Sequence, residues 1–239
     1  MKKTIFIFLV GLLLAGLVFG SVFFMTQKAA SQSNPAVLAV SQEIPLVQTQ
    51  ALETQAFKAL FSGEPDTHSI VYQVKPGDNL TAISKKHGTT VDLLKRINAL
   101  PGDKLAPGQK LKIPIYKFSI VVDKSQNTLL LKGDEEALKT YVVATGTNNS
   151  TPVGLFKITD KLVNPTWYKA GAVVPYGSPE NVLGTRWLGI TKKGYGIHGT
   201  TEPEKLGQQV TAGCVRMKNE EVEELFSFAV PGTEVTIVD

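Results

Sequence analysis

Two residues of this 239-residue chain could do covalent chemistry together: its only cysteine, Cys214, and His198, sixteen positions upstream. A free thiol, with a pKa of about 8.5, is only a few per cent thiolate at neutral pH. A neighbouring imidazole can take the proton, stabilise the ion pair, and later hand the proton to a leaving amine. His198 lies in Gly196-Ile-His-Gly-Thr200 and Cys214 in Thr211-Ala-Gly-Cys-Val-Arg-Met217. Gly213 leaves the backbone before the sulfur unobstructed. The amides of Gly213 and Cys214 are candidates for an oxyanion hole. The competing reading of a lone cysteine is a small, buried, inert hydrophobe. A single Cys excludes an intramolecular disulfide, and with three His it leaves little for a zinc cage. No metal or cofactor is expected.

The elements that must carry these residues read as β structure. Ser119–Val122, Thr128–Leu131 and a stretch around Thr140–Ala144 alternate as strands, and Gly and Pro then punctuate the chain to Gly213. Asn219 is placed to cap one late helix, with Val222, Leu225, Phe226 and Ala229 on its buried face. Thr233–Val238 closes the domain as a strand.

Upstream, residues 70–116 read as a compact β-α-α-β unit. Val71–Val74 and Lys110–Pro114 are its strands. Asp78 is the expected cap of a helix with Leu80 and Ile83, and Gly88 ends it. Thr90 caps a second helix carrying Val91, Leu94 and Ile97. His87 suits a helix C-terminus, and His68 reads as solvated. This unit holds eight Lys/Arg and three Asp, a net of +5, whereas residues 117–239 hold thirteen Lys/Arg and fourteen acids. The formal +4 of the whole chain thus belongs to one small module. No aromatic-interleaved basic stripe accompanies it, so nucleic acid is not an expected partner.

The N-terminus carries Lys2 and Lys3 before an apolar run from Ile5 to Met25. A helix of about 21 residues is roughly 32 Å long, close to a ~30 Å hydrocarbon core. Residues 1–25 therefore read as a transmembrane anchor, with a cleaved signal as the alternative. Basic residues before the run put the body of the protein outside the membrane. Residues 26–69 read as a tether. It has one possible short spacer helix, with Leu52, Ala56, Leu60 and Phe61 near one face and Gly63 as its stop.

Two resemblances sharpen this reading. Residues 70–116 resemble a LysM module, through Tyr72-Gln-Val74, Lys75-Pro-Gly-Asp78, Leu80, Ile83, Val91–Lys95, Asn98 and Pro107–Pro114. The family implies binding to N-acetylglucosamine-containing glycans, chiefly peptidoglycan. Its groove would fall at Gly77, Asp78, Asn79, Leu80 and Thr81, facing Ala106, Pro107 and Gly108. Residues 117–239 resemble an L,D-transpeptidase catalytic domain of the YkuD type. The paired His198 and Cys214 signatures carry the resemblance, with Gly146, Thr151-Pro-Val-Gly154, Asn164–Trp167 and Asn181–Trp187. It implies a mostly β domain, a YkuD-like β-sandwich with one late helix.

It also implies a cysteine acyl-enzyme. Cys214 would attack the third residue of a peptidoglycan tetrapeptide stem and expel D-alanine, and an amine of a second stem would complete a 3→3 crosslink. His198 would be the base, and the Gly199 carbonyl would orient it. Ala212 stands where many members have a second His, and Thr211 where Ser is commoner. Arg216 would shape the site or attract a carboxylate, or else form a structural ion pair. Asn181, Trp187, Tyr195 and Thr200 would line the cleft. Water as acceptor would give a carboxypeptidase, a free D-amino acid exchange, and a protein lysine wall attachment. A non-catalytic wall-binding protein is the alternative from another class. A papain-like protease fits poorly, because its Cys normally precedes its His.

Overall fold

In the computed structural model, residues 52–169 and 171–239 are described. The anchor expected over 1–25 and most of the tether lie outside them. Among the described residues, no helix is long and apolar enough to cross a membrane.

The chain enters as a two-residue strand β1 (Leu52–Glu53) and helix α1 (Gln55–Leu60). The spacer reading of this helix is corrected. Its packed face is Phe57 and Leu60, both buried in the main core, while Leu52 lies in β1 and is exposed. The Thr54 hydroxyl caps α1 by accepting from Phe57 N at 3.2 Å, and it donates to Leu138 O at 3.0 Å. His68, expected to be solvated, is stacked on Tyr116 with ring centroids 4.3 Å apart.

The β-α-α-β unit follows: β2 (Ser69–Gln73), α2 (Leu80–Lys86), α3 (Val91–Ile97) and β3 (Lys110–Pro114). β2 and β3 pair antiparallel. Thr90 caps α3 as expected, but α2 is capped by Asn79, which accepts from Ala82 N at 2.8 Å. Asp78 instead closes the preceding turn. Its carboxylate accepts from Lys75 N and Tyr72 Oη at 2.8 and 2.7 Å.

The second domain comprises β4 (Phe118–Asp123), β5 (Thr128–Gly133), β6 (Glu136–Val142), β7 (Thr145–Gly146), β8 (Gly154–Val163), β9 (Trp167–Lys169), β10 (Ala172–Val174), β11 (Arg186–Ile190), β12 (Gly196–His198), β13 (Gln209–Thr211), β14 (Val215–Arg216), α4 (Asn219–Phe228) and β15 (Glu234–Val238). Alternation in β4 buries Phe118, Ile120 and Val122, as period 2 requires. Nine strands form one mixed sheet in the order β1-β6-β5-β4-β15-β8-β11-β12-β14. The expected sandwich is thus a single curled sheet. Its two halves are joined by β8, which pairs with β15 over 154–157 and with β11 over 158–163. α4 packs on β11 and β12 and contributes Val222, Leu225, Phe226 and Phe228 to the core.

Candidate active site

The paired strands β12 and β14 carry the two candidate residues: His198 ends β12, and Cys214 immediately precedes β14. The strands run parallel, with Ile197 level with Val215 and His198 level with Arg216. Residues level in a parallel pair share a face, so His198 and Arg216 project from the same side. Trp187, opposite His198 on β11, stacks on the imidazole at 5.8 Å and 20°. Its Nε1 donates to Asp160 Oδ2 at 2.9 Å.

His198 is buried, and its Nδ1 lies 2.7 Å from Gly199 O. A carbonyl only accepts, so Nδ1 carries the proton and Nε2 is left as the acceptor. Burial pushes the imidazole pKa down to about 4, and the Arg216 charge adds to the fall. Hydrogen bonds to the backbone of Gly199 and Leu183 oppose it. At Cys214, burial pushes the thiol pKa up, against a backbone hydrogen bond at Gly196 and the Arg216 charge. The Cys214 thiol donates to Gly194 O at 3.8 Å. Both shifts favour a neutral thiol beside a neutral imidazole, so the resting pair is not the ion pair that simple adjacency suggests.

The loop before the sulfur is closed by Thr211. Its hydroxyl accepts from Gly213 N at 3.0 Å and donates to Cys214 O at 2.7 Å. The Gly213 amide is therefore engaged within the loop, which corrects its expected place in an oxyanion hole. Gly213 is required for another reason. Its φ is +128°, and a Cβ there would lie 2.7 Å from the Tyr195 ring. Tyr195, half-buried, thus packs on the nucleophile loop.

Other expected site residues fall elsewhere. Asn181 is buried, and its amide donates to Pro165 O and Val174 O at 2.9 and 3.0 Å. Its Oδ1 accepts from Leu183 N, so all of these bonds tie the chain around the β9–β10 hairpin. Thr200 is buried too, and its hydroxyl accepts from Glu202 N at 3.0 Å. Arg216 forms an ion pair with Glu202 at 2.9 Å, yet its charge acts on both His198 and Cys214. Its Nε is buried without a hydrogen-bond partner among the described residues.

In the small module, the loops holding Gly77 and Gly108 lie side by side. Gly108 N donates to Val74 O at 2.8 Å, and Val74 N to Gln109 O at 2.8 Å. Gly77, Asn79, Thr81, Ala106, Pro107 and Gly108 are exposed there. Leu80 is buried in the module's own core, which corrects its placement in the groove.

One residue of consequence carried no signal in the sequence beyond its suitability as a cap. Asn219 begins α4, but Lys218 occupies the N-cap position. The Asn219 side chain turns instead to the loops at 184–185 and 199–200.

Residues 117–237 match the model of the L,D-transpeptidase catalytic domain, YkuD, and residues 72–114 match that of the LysM domain. The chain is 36% identical over 176 residues to YkuD of Bacillus licheniformis, across 70% of this chain and 98% of that one. It is 35% identical over 175 residues to YkuD of Bacillus subtilis, with the same coverage of 70% and 98%. With YqjB of Bacillus subtilis it shares 43% identity over 126 residues, 50% of this chain and 70% of the other. All three relatives are named as L,D-transpeptidases. The catalytic-domain match over residues 117–237 and these relatives lead to one conclusion: the chain belongs to the L,D-transpeptidase family of the YkuD type.

Proposed function

We propose that the protein is a peptidoglycan L,D-transpeptidase that works through a Cys214 acyl-enzyme. The observation that supports this reading is the pairing of β12, which ends in His198, with β14, which follows Cys214 directly, together with Nδ1 of the imidazole held by Gly199 O at 2.7 Å. The Cys214 sulfur attacks the carbonyl of the third stem residue, and its proton passes to Nε2 of His198. The tetrahedral intermediate collapses to a thioester, and the imidazolium returns the proton to the departing D-alanine amine. An amine of a second stem then attacks the thioester, loses its proton to His198, and releases the thiol with a new amide bond. Arg216 favours the thiolate by its charge and, by the same charge, disfavours a resting imidazolium. Burial of both groups, the larger effect at each, keeps the proton on sulfur until attack begins.

The LysM module binds the glycan of the same polymer, at the exposed residues beside Gly77 and Gly108. Binding there raises the effective concentration of stems near Cys214. Such a substrate sits outside the cytoplasmic membrane, in accord with reading the apolar run Ile5–Met25 as an anchor or export signal.

The test uses disaccharide-tetrapeptides with the wild type and Cys214→Ser, followed by mass spectrometry. A 3→3 dimer with released D-alanine, seen only with the wild type, is expected. Tripeptide without dimer would make the enzyme a carboxypeptidase. No turnover at all would leave a wall-binding protein.

A further inference from the structure

The Gly199 carbonyl that fixes His198 is a backbone group, and a backbone group is only as well oriented as its peptide plane. In a trans peptide the C=O of one residue and the N–H of the next point in opposite directions from one rigid plane. The plane joining Gly199 and Thr200 is gripped on both sides. Its C=O receives His198 Nδ1 at 2.7 Å, and its N–H donates to Asn219 Oδ1 at 3.3 Å. The same amide holds the next peptide group, because Asn219 Nδ2 donates to Thr200 O at 3.0 Å. Oδ1 also accepts from Thr185 N at 3.2 Å, which ties in the chain leading to β11 and Trp187.

The packing around this amide is too close to be incidental. A Cβ on Gly199 would lie 2.1 Å from Asn219 Oδ1, and one on Gly184 2.2 Å from the same atom. Both glycines therefore make room for one side-chain oxygen. Gly199 N donates to Arg186 O at 3.2 Å and Met217 N to His198 O at 2.9 Å, so the loop is anchored from the neighbouring strands as well.

We propose that Asn219 is the positioning residue of the catalytic histidine: by fixing the Gly199–Thr200 peptide plane it selects the His198 tautomer with Nδ1 protonated and Nε2 free. This rests on His198 being the general base, but it concerns a different atom pair and can fail separately. Without the amide, the plane is free to turn and Gly199 O no longer selects Nδ1. The imidazole then populates both tautomers, and the one with Nε2 protonated cannot accept the thiol proton.

The experiment compares the wild type, Asn219→Ala, Asn219→Asp and Val222→Ala, all as the full chain. Imidazole 15N NMR reads the His198 tautomer, and acylation kinetics read kcat and KM. Asn219→Ala is expected to mix the tautomers. It should also lower kcat on the order of tenfold to a hundredfold, the scale for losing a group that orients a working imidazole, with KM held. Asn219→Asp keeps the acceptor for Thr200 N–H and is expected to keep the Nδ1–H tautomer and most of kcat. Val222→Ala loosens α4 from the core without touching the loop, and should lower Tm while leaving the tautomer unchanged. An unmixed tautomer in Asn219→Ala would overturn the proposal. So would equal loss of kcat in Asn219→Ala and Val222→Ala, or an Asp variant as impaired as the alanine. The tautomer measurement stands whether or not the wild type turns over any substrate, so it separates this proposal from the assigned reaction.

Discussion

At His198 burial outweighs hydrogen bonding, and the consequences are measurable. An imidazole with a pKa pushed down to about 4 stays a competent base far into acid. The kcat/KM for acylation reports the free enzyme's groups, so its acid limb should fall near pH 4 and not near 6.5. A limb at 6–7 would contradict the buried neutral ring. Arg216→Gln removes a charge that lowers both groups, so the acid limb should move to higher pH. The same shift has a stability consequence. The unfolded chain, with its His near 6.5, binds a proton before the folded one does, so stability falls as pH drops from about 6.5 to about 4, by about 3 kcal/mol in total. Urea unfolding at pH 7 and pH 4 should therefore show a larger acid loss for wild type than for His198→Gln, and equal losses would refute the assignment. Residue type offered His198 and Cys214 as candidates, and only their flanking motifs made the pairing specific. The neutrality of the pair was not legible there, because it depends on how deeply β12 is buried. Nor were the Thr211 hydroxyl closing the Cys214 loop and the Asn219 amide, since a polar side chain's partners are set by tertiary approach.

Among the elements, those with strong local signals matched their sequence patterns. The alternation of Phe118, Ile120 and Val122 gave β4, and Val222, Leu225 and Phe226 gave the buried face of α4. The weakest pattern was the one most altered by packing. α1 has only six residues, too few to be stable alone. It persists because Phe57 packs on Phe61 and Phe228 at centroid distances of 5.3 and 5.9 Å. Lys139 sets its ammonium over the Phe57 ring at 4.8 Å and pairs with Glu53 and Glu224. Phe57→Ala should therefore cost the chain about 3–5 kcal/mol, as large-to-small changes in a full core do. Denaturant unfolding checks this, and a loss under about 1 kcal/mol would return α1 to the status of a spacer.

At the scale of the molecule, the LysM module is built into the catalytic domain and does not hang from it. α3 has two packed faces: Leu94 enters the module's own small core, while Leu93 and Ile97 join the main one with Phe228. Thr90 Oγ1 donates to Ser227 O at 2.5 Å, and Arg96 pairs with Glu224 at 3.1 Å. Lys112, one of the module's eight cations, is buried against Ala59 O and Asp66. Part of the +5 thus joins elements and is not available to a polymer. Residues 52–239 should unfold in one calorimetric transition with equal calorimetric and van't Hoff enthalpies, and two resolved transitions would contradict the shared core.

The central claim is an acyl group on one sulfur. Incubating the wild type with a tetrapeptide-stem donor and no acceptor, then measuring intact mass and mapping the modified peptide, tests it most directly. A mass increase equal to the stem minus D-alanine, on the peptide containing Cys214 and absent from Cys214→Ser, is the predicted result. D-alanine release without any adduct at Cys214, or release that persists in Cys214→Ser, would contradict it.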